Sequence, residues 1–214
     1  MKKLNNKNIL VSNGATRVYI DPIRYITNIS SGKMGLAFIK IFLEKNANVK
    51  VISGKVDFEY PKKRNLEIIN VETNSEMFEN LKNHFLWADI FISVAAVIDF
   101  EPLNFSKKKI KKHYDNEIFD LKLKNSIDIV KTLSKYKKNN QILIGFALET
   151  ENLVKNAIKK MNDKNLDFII ANKADESMGL DKAKVTLIDK NGFCKTFETQ
   201  NKNNLAKNII ELIL

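Results

Sequence analysis

Short apolar runs alternate along this chain with longer segments of helical period, and this alternation limits the fold more than any other feature. Runs of this length are typical of buried strands, and apolar residues spaced three and four apart indicate helices. The predicted strands are residues 8–12, 48–53, 66–72, 89–97, 141–149 and 167–172. The predicted helices are residues 31–46, 74–87, 127–137, 152–165 and 203–214. Strands that alternate with helices predict a parallel sheet covered on both faces.

The C-terminal part of the chain departs from this alternation. Two apolar runs, residues 184–190 and 193–198, flank Asn191-Gly192, a pair that favours a tight turn between antiparallel strands. We therefore expect an α/β fold, a three-layer α/β/α Rossmann-like sandwich, whose mostly parallel sheet carries an antiparallel C-terminal hairpin extension. Residues 1–214 are expected to form one domain, since no repeat or linker divides them.

Open α/β sheets bind ligands beyond the carboxyl ends of their parallel strands. This rule brings together residues 13–30 and the residues that follow Val97, Leu123 and Gly145. The segment 100–117 has little apolar content and contains a proline and a lysine run, as lids over active sites often do. We predict a mobile flap at 100–117.

The net charge of +11, from 36 Lys+Arg against 25 Asp+Glu, suggests an anionic partner. The lysines are spread along most of the chain, however, so a general lysine bias accounts for the charge better than a dedicated surface. We therefore expect neither nucleic acid nor a membrane as a partner. The single cysteine, Cys194, cannot form an intramolecular disulfide, and a reducing cytoplasm is the expected location.

The stretch DPIRYITNISSGKMG, residues 21–35, concentrates groups that bind anions. The N–H groups at the start of the helix predicted from residue 31 would suit a phosphate, with Ser30 or Ser31 as the N-cap. The anion-binding candidates are Arg24, Asn28, Ser30, Ser31, Gly32 and Lys33. A capped helix beside a surface arginine is the alternative, but so many donors within one stretch favour a phosphate or carboxylate site.

Three further groups of residues lie at the predicted strand ends. Small residues in Ser93–Asp99 would let a nucleotide approach the backbone, and the aspartate would reach its ribose or base. The lysines of 107–112 lie on the predicted flap, where they would neutralise a triphosphate. Phe146 is placed to pack on a base, and Lys160 and Lys164 share a helix face. The ordinary alternatives are a packed strand, a solvated loop, and a core phenylalanine with solvated lysines.

Seven motifs together resemble a known family. In chain order they are SNGATR (12–17), DPIRYITNISSGKMG (21–35), AAVIDF (95–100), KIKK (109–112), KNSIDIV (124–130), IGFALET (144–150) and KNLDFIIANK (164–173). Each is weak alone. Their order and spacing over nearly the whole chain resemble the phosphopantothenate–cysteine ligases, also called phosphopantothenoylcysteine synthetases.

The resemblance implies a ligase, unrelated to ATP-grasp enzymes, that joins 4′-phosphopantothenate to L-cysteine in the second step of coenzyme A biosynthesis from pantothenate. A nucleoside triphosphate, CTP rather than ATP, would arrive with Mg²⁺ and activate the acid as an acyl-nucleotidylate, releasing pyrophosphate and later CMP. The chain begins at the first strand of the ligase, so a stand-alone form without the decarboxylase domain is expected, and no FMN. A homodimer with the C-terminal hairpin at its interface is also implied.

Individual roles carry over by motif. Asn28 matches the asparagine that converts the acyl-nucleotidylate into product, Arg24 would secure substrate or intermediate, and Lys109 matches a flap lysine that supports acyl-nucleotidylate formation. The implied nucleotide-binding positions are Ser93, Val94, Ala95, Asp99, Lys109, Leu123, Lys124, Asn125, Ser126, Phe146, Lys160 and Lys164. The implied phosphate- or substrate-binding positions are Gly14, Ser30, Ser31, Gly32, Lys33 and Ala95.

Two other classes of function stay open at this stage. The fold class also suits an NAD(P)-binding Rossmann oxidoreductase, although the sequence lacks GxGxxG. A basic nucleic-acid-binding module that uses residues 107–112 is the other alternative. His84 and His113 are the only histidines, and no His/Cys cluster has ligand spacing, so no protein-bound metal site is expected.

Overall fold

An eight-stranded sheet forms the centre of the computed structural model, which describes residues 4–111, 118–174 and 180–214. In chain order the strands are β1 (Asn8–Asn13), β2 (Arg17–Asp21), β3 (Arg24–Thr27), β4 (Asn48–Ser53), β5 (Leu66–Asn70), β6 (Ile90–Ser93), β7 (Phe100–Pro102), β8 (Leu123–Asn125), β9 (Ile142–Glu149), β10 (Phe168–Lys173), β11 (Lys182–Asp189) and β12 (Cys194–Asn201). The helices are α1 (Lys33–Glu44), α2 (Asn74–Phe85), α3 (Ile129–Ser134), α4 (Leu153–Asp163) and α5 (Lys202–Ile213).

The sheet has the strand order β12-β11-β10-β9-β6-β1-β4-β5. All neighbours from β10 to β5 are parallel, whereas β11 is antiparallel to both β10 and β12. The turn at Asn191-Gly192 joins β11 to β12, as the sequence predicts. The predicted fold class, a mostly parallel sheet with an antiparallel C-terminal hairpin, is confirmed.

Helices cover both faces of the sheet. On one face α1 and α5 bury a core that includes Phe38, Phe42 and Leu205. On the other face α2, α3 and α4 contribute side chains such as Phe85 and Leu133 to a second core. Burying each of these side chains stabilises the fold by about 1.5–3 kcal/mol. Among the described residues, no helix is both long enough and apolar enough to cross a membrane.

No strand is predicted between residues 13 and 30, but this part of the chain contains the antiparallel hairpin β2–β3. The Arg17 guanidinium lies 4.2 Å from the centre of the Tyr25 ring and forms an ion pair with Glu72 at 2.6 Å. These contacts stabilise two short, partly exposed strands, which the sequence does not predict because their apolar residues show no strand period. The strand predicted over residues 89–97 is also shorter, since β6 ends at Ser93.

The predicted flap begins as a strand. Residues Phe100–Pro102 pair with Leu123–Asn125 in the ribbon β7–β8. Residues 103–111 continue from this ribbon without regular structure. Residues 112–117, which include Lys112 and His113, lie outside the described residues. A mobile flap at 100–117 therefore stays a prediction.

Asp167 anchors the amino ends of two parallel strands. Its carboxylate accepts hydrogen bonds from the Leu143 N–H at 2.9 Å and from the Lys137 and Lys190 ammonium groups, each at 2.7 Å. Burial alone would raise the pKa of Asp167, but the two ammonium groups and the N–H outweigh it, so this pKa lies below its ordinary value.

We expect Asp167→Asn to lower the free energy of unfolding by about 2 kcal/mol at neutral pH, because charged hydrogen bonds are lost. Since the folded pKa is depressed, the stabilisation is present above the unfolded value and is lost as the pH falls through the folded one. Urea titrations across this pH range measure it. Asp163→Asn, on the exposed side of α4, is the matched control. A deficit that persists unchanged in acid would contradict this account.

Candidate active site

A cavity of about 660 Å³ opens at the carboxyl ends of β1, β6 and β9. The parallel pairing of β1 with β6 and of β6 with β9 brings these strand ends to one edge of the sheet. The predicted site residues that line the cavity are Asn28, Ser30, Ser31, Gly32, Lys33, Ser93, Val94, Ala95, Asp99, Phe146, Lys160 and Lys164. Those that do not line it are Gly14, Arg24, Lys109, Leu123, Lys124, Asn125 and Ser126.

The start of α1 forms one wall of the cavity. The expectation that Ser30 or Ser31 is the N-cap is wrong, because Gly32 occupies that position in the left-handed region, at φ 66. A Cβ on Gly32 would lie 2.5 Å from the Val56 side chain, so only glycine fits the turn. The two serine hydroxyls accept hydrogen bonds from the Gly32 and Lys33 N–H groups instead. The positive end of the helix dipole therefore faces the cavity.

Asn28 stands at the lip of the cavity, directly after β3. Its side-chain amide donates a hydrogen bond to the Val97 carbonyl at 2.9 Å. The Thr27 hydroxyl donates to the Thr16 carbonyl at 2.8 Å, which ties the end of the hairpin to the chain after β1. Because an amide nitrogen carries two hydrogens, Asn28 keeps one N–H for a ligand.

Lys160 of α4 and Lys164, which directly follows that helix, reach the cavity from one face of the sheet. The Lys164 ammonium pairs with Asp128 at 2.9 Å. Burial lowers the pKa of Lys160 below its ordinary value, and the neighbouring Lys164 charge lowers it further. A half-buried ammonium group beside a second one favours an anionic ligand, whose charge would offset both.

A second pair of lysines reaches the cavity from the opposite face. Lys33 begins α1 and pairs with Asp181, and Lys202 begins α5 and donates to the Leu180 carbonyl. Burial lowers the pKa of Lys202, and the Lys33 charge acts in the same direction. Sequence reasoning missed Lys202, because a lysine at the start of the last helix carries no motif; only the packing of α5 on α1 brings it here.

Asp128 is a second cavity residue that sequence reasoning missed. Its side chain caps α3 by accepting the Lys131 N–H at 3.0 Å while it pairs with Lys164. Burial alone would raise the pKa of Asp128, but the N–H and the ammonium group outweigh it and hold the pKa below its ordinary value. Asp128 belongs to the motif KNSIDIV, and an aspartate near the start of a predicted helix indicates an N-cap. That pattern could have identified Asp128 from the sequence.

Phe146 lies on a different face from the two lysines with which the sequence groups it. Its ring packs edge-on against Phe38 of α1, with ring centres 5.9 Å apart. Lys160 and Lys164 approach from the face that α4 covers. Phe146 therefore forms the floor of the cavity on the α1 side, and its predicted contact with a base stays a prediction.

Gly14 supports the cavity from behind rather than lining it. Its φ of 75 is left-handed, and a Cβ there would lie 2.8 Å from the carbonyl oxygens of Gly54 and Lys55. The Gly14 carbonyl accepts the Ala96 N–H at 2.8 Å, which fixes the segment after β6. The residue thus shapes the backbone beside the site, and a direct contact with phosphate stays a prediction.

The β7–β8 ribbon holds the predicted residues 123–126 beside Asp99. The Ser126 N–H donates to the Asp99 carbonyl at 2.8 Å, and Lys124 pairs with Glu101 at 3.1 Å. Within the described part of the chain, the buried Ser126 hydroxyl has no hydrogen-bond partner. Leu123 and Asn125 are exposed strand residues of the same ribbon. The structure brings these residues near the cavity edge without making them part of its wall.

Arg24 and Lys109 lie together outside the cavity. The Arg24 guanidinium pairs with Asp21 at 2.6 Å and donates to the Ile110 carbonyl at 3.0 Å. Lys109 is exposed and directly precedes Ile110. Over residues 4–111, 118–174 and 180–214, no group of three or more His, Cys, Asp or Glu side chains could hold a metal ion.

The fold defines an α/β domain with a cavity at the carboxyl end of a parallel sheet, and lysines from both faces of that sheet line the cavity. Residues 4–214 match the family described as the DNA/pantothenate metabolism flavoprotein C-terminal domain. The chain belongs to this family. The resemblance seen in the sequence motifs is thereby confirmed at the level of the family.

Curated relatives match over nearly all of this chain but only part of their own. The coenzyme A biosynthesis bifunctional protein CoaBC of Bacillus subtilis is 38% identical over 213 residues, which are 98% of this chain and 52% of that protein. CoaBC of Borreliella burgdorferi is 36% identical over 211 residues, which cover 98% of this chain and 53% of that protein. A cysteine/cysteine sulfinic acid decarboxylase from an unknown prokaryotic organism is 38% identical over 216 residues, which cover 100% of this chain and 59% of that protein. The chain thus spans about half the length of these relatives.

Solved structures share the fold. The crystal structure of the C-terminal domain of CoaBC is 32% identical, with a TM-score of 0.80, and covers 98% of this chain and 94% of that one. The DNA/pantothenate metabolism flavoprotein from Streptococcus pneumoniae is 24% identical, with a TM-score of 0.84 and coverage of 97% and 98%. A Cab2 mutant in complex with phosphopantothenate-cysteine is 15% identical, with a TM-score of 0.76 and coverage of 97% and 86%.

We expect Lys160→Gln to weaken the binding of inorganic triphosphate about tenfold, because a charge-assisted contact in a half-buried site contributes roughly 1.5–3 kcal/mol. Isothermal titration calorimetry measures the dissociation constant. Lys159→Gln removes the same charge from an exposed neighbour that lines no part of the cavity, and it should change binding little. Equal weakening in the two variants would contradict a specific contact by Lys160.

Proposed function

We propose that this chain is a phosphopantothenate–cysteine ligase, which joins 4′-phosphopantothenate to L-cysteine and consumes CTP. One observation carries the proposal: two pairs of lysines, on helices from opposite faces of the sheet, meet at a single cavity. Two pairs of cations suit two phosphorylated substrates held together, a nucleoside triphosphate and a phosphorylated acid. The relatives named coenzyme A biosynthesis bifunctional protein CoaBC support the same pathway.

The α4 side of the cavity suits the nucleotide. Lys160 and Lys164 supply two ammonium groups for the triphosphate, and Asp99 lines the wall where a ribose hydroxyl would lie. The small side chains of Ser93–Ala95 leave room for the nucleotide to approach the end of β6. The lysines of the predicted flap would neutralise the leaving pyrophosphate, as the role of Lys109 requires.

The α1 side of the cavity suits the phosphorylated acid. Lys33 and Lys202 lie where α1 and α5 begin, and the first N–H groups of α1 add to their positive potential. Ser30 and Ser31 stand beside these N–H groups. With its phosphate here, the acid would extend toward Asn28 and the α-phosphate of the nucleotide.

The chemistry has two steps. A carboxylate oxygen of 4′-phosphopantothenate bonds to the α-phosphorus of CTP, and the bond to pyrophosphate breaks. The cysteine amine then attacks the acyl carbon, the acyl–oxygen bond to CMP breaks, and the amine loses a proton. The free N–H of Asn28 would donate to the acyl oxygen as charge builds on it, a contribution of about 3–4 kcal/mol to the transition state.

Magnesium would enter with the triphosphate. Mg²⁺ in such sites is commonly held by one or two carboxylates, substrate phosphates and water. Asp99 and Asp128 both line the cavity, and this donor set fits an ion carried mainly by the nucleotide. Bound there, the ion would neutralise charge on the phosphates while Lys160 and Lys164 orient them.

Further parts of the proposal rest on the resemblance and on composition. CTP is proposed in preference to ATP, and a homodimer is proposed through the hairpin β11–β12. The cytoplasmic location is proposed on the same grounds, as is a function that needs neither nucleic acid nor a membrane.

A panel of nucleoside triphosphates tests the function. With 4′-phosphopantothenate, L-cysteine and Mg²⁺, we expect CTP to yield CMP, pyrophosphate and the amide, because the acid is activated before the amine attacks. Chromatography of the nucleotides and mass spectrometry of the amide measure the products. Reactions without 4′-phosphopantothenate are the control. If no triphosphate yielded its monophosphate in the complete mixture, the proposed function would be wrong.

Asn28→Asp should separate the two half-reactions. The carboxylate cannot donate to the acyl oxygen, so amide formation should slow by about 100-fold or more while pyrophosphate release continues. Quenched-flow measurements of pyrophosphate and amide follow the two steps. Asn140→Asp makes the same change on an exposed residue before β9, at the opposite edge of the sheet, and should react as the wild type does. Equal loss of both steps in Asn28→Asp would refute this role.

A further inference from the structure

Asp21 is a fully buried carboxylate outside the cavity, and its two oxygens have different partners. Oδ1 accepts hydrogen bonds from the N–H groups of Ile23 and Arg24, each at 2.9 Å, which closes the turn of the β2–β3 hairpin. Oδ2 accepts from the Arg24 guanidinium at 2.6 Å and from the Ile110 N–H at 3.1 Å. One oxygen thus shapes the hairpin, and the other holds a residue 89 positions away.

Arg24 completes the hold on Ile110. Its second guanidinium nitrogen donates to the Ile110 carbonyl at 3.0 Å, so both backbone polar groups of Ile110 are bound by one ion pair. The Ser106 N–H adds a bond to the Ile20 carbonyl at 3.1 Å. Residues 106–111, here called the lysine segment, are therefore attached to the hairpin at two points.

The lysine segment carries a dense positive charge at this attachment. Lys107, Lys108, Lys109 and Lys111 are all exposed, and two of them flank Ile110 directly. The same hairpin continues from Arg24 along β3 to Asn28 at the lip of the cavity. A single element therefore holds the lysine segment on one side and the cavity lip on the other.

We propose that Asp21 is a positioning residue that fixes the lysine segment, through Ile110 and Arg24, so that its ammonium groups reach the polyphosphate of the nucleotide bound in the cavity. The proposal rests on the proposed function for its substrate. It assigns Arg24 a part in holding the segment in addition to any contact with substrate.

Asp21→Asn is a selective test because of the division between the two oxygens. The remaining Oδ1 can still accept the N–H groups of the turn, so the hairpin keeps its shape. The new amide nitrogen replaces Oδ2 and faces two donors, the Arg24 guanidinium and the Ile110 N–H. Because an amide nitrogen is itself a donor, it cannot accept a hydrogen bond from either group. The substitution therefore releases the lysine segment and keeps the turn of the hairpin intact.

Two measurements on the whole chain test the proposal. Hydrogen exchange of the Ile110 amide, measured by NMR without nucleotide, should accelerate about tenfold or more in Asp21→Asn, because a bond to a charged group is lost. Pyrophosphate release with CTP, 4′-phosphopantothenate and Mg²⁺ should slow about tenfold. Glu72→Gln, which breaks the Arg17 ion pair of the same hairpin without touching the lysine segment, should leave both rates near those of the wild type.

Each outcome decides the proposal. If hydrogen exchange at Ile110 is unchanged in Asp21→Asn, Asp21 does not hold the lysine segment. If exchange is faster but pyrophosphate release is unchanged, Asp21 holds the segment but does not position it for the reaction. A wild-type chain that releases no pyrophosphate refutes the proposed function, while the exchange result still tests the hold. If Asp21→Asn does not fold, Ile110→Pro removes the N–H from the other side. It should speed tryptic cleavage after Lys107, Lys108 and Lys111, the sites that do not precede the new proline, and unchanged cleavage there would show that Ile110 does not hold the segment.

Discussion

The parallel pairing of β1 with β6, and of β6 with β9, is the constraint on which the rest of the structure depends. It forces the chain to leave each of these strands at the same edge, where the following segments must meet. The helices that return the chain cover both faces, and those on opposite faces begin or pass beside that edge. A cavity reached by cations from both faces follows from this topology, whereas side-chain chemistry alone would not create it.

The cavity concentrates positive charge that folding alone would disfavour. Burial lowers the pKa values of Lys160 and Lys202, so each charged form is less stable here than in water. Asp128 and Asp181 each pair with one lysine and reduce the repulsion without removing it. A bound polyphosphate would supply the missing negative charge, so ligand binding and local stability are coupled. The exposed lysines elsewhere have no such consequence, although they dominate the net charge.

The sequence predicts the parallel sheet well, because apolar runs such as the one in β9 have strong periods and clear breaks. It predicts the hairpin β2–β3 poorly, because Arg17, Tyr25 and Glu72 stabilise it through contacts that join distant residues. The same limit explains the candidate site. Asn28 and Lys33 belong to a recognisable stretch, but Lys202 enters only when α5 packs on α1. The N-cap of α1 was mispredicted because the Val56 side chain leaves no room for a Cβ at position 32. This is a tertiary contact, which the local sequence does not show.

Arg24 shows how one side chain can serve both structure and chemistry. The motif resemblance gives it a contact with substrate, whereas its guanidinium is bound to Asp21 and to the Ile110 carbonyl. A guanidinium has five N–H donors in a fixed plane, and these two contacts leave others available. A substrate carboxylate or phosphate can therefore approach the exposed edge of Arg24 without displacing the buried Asp21.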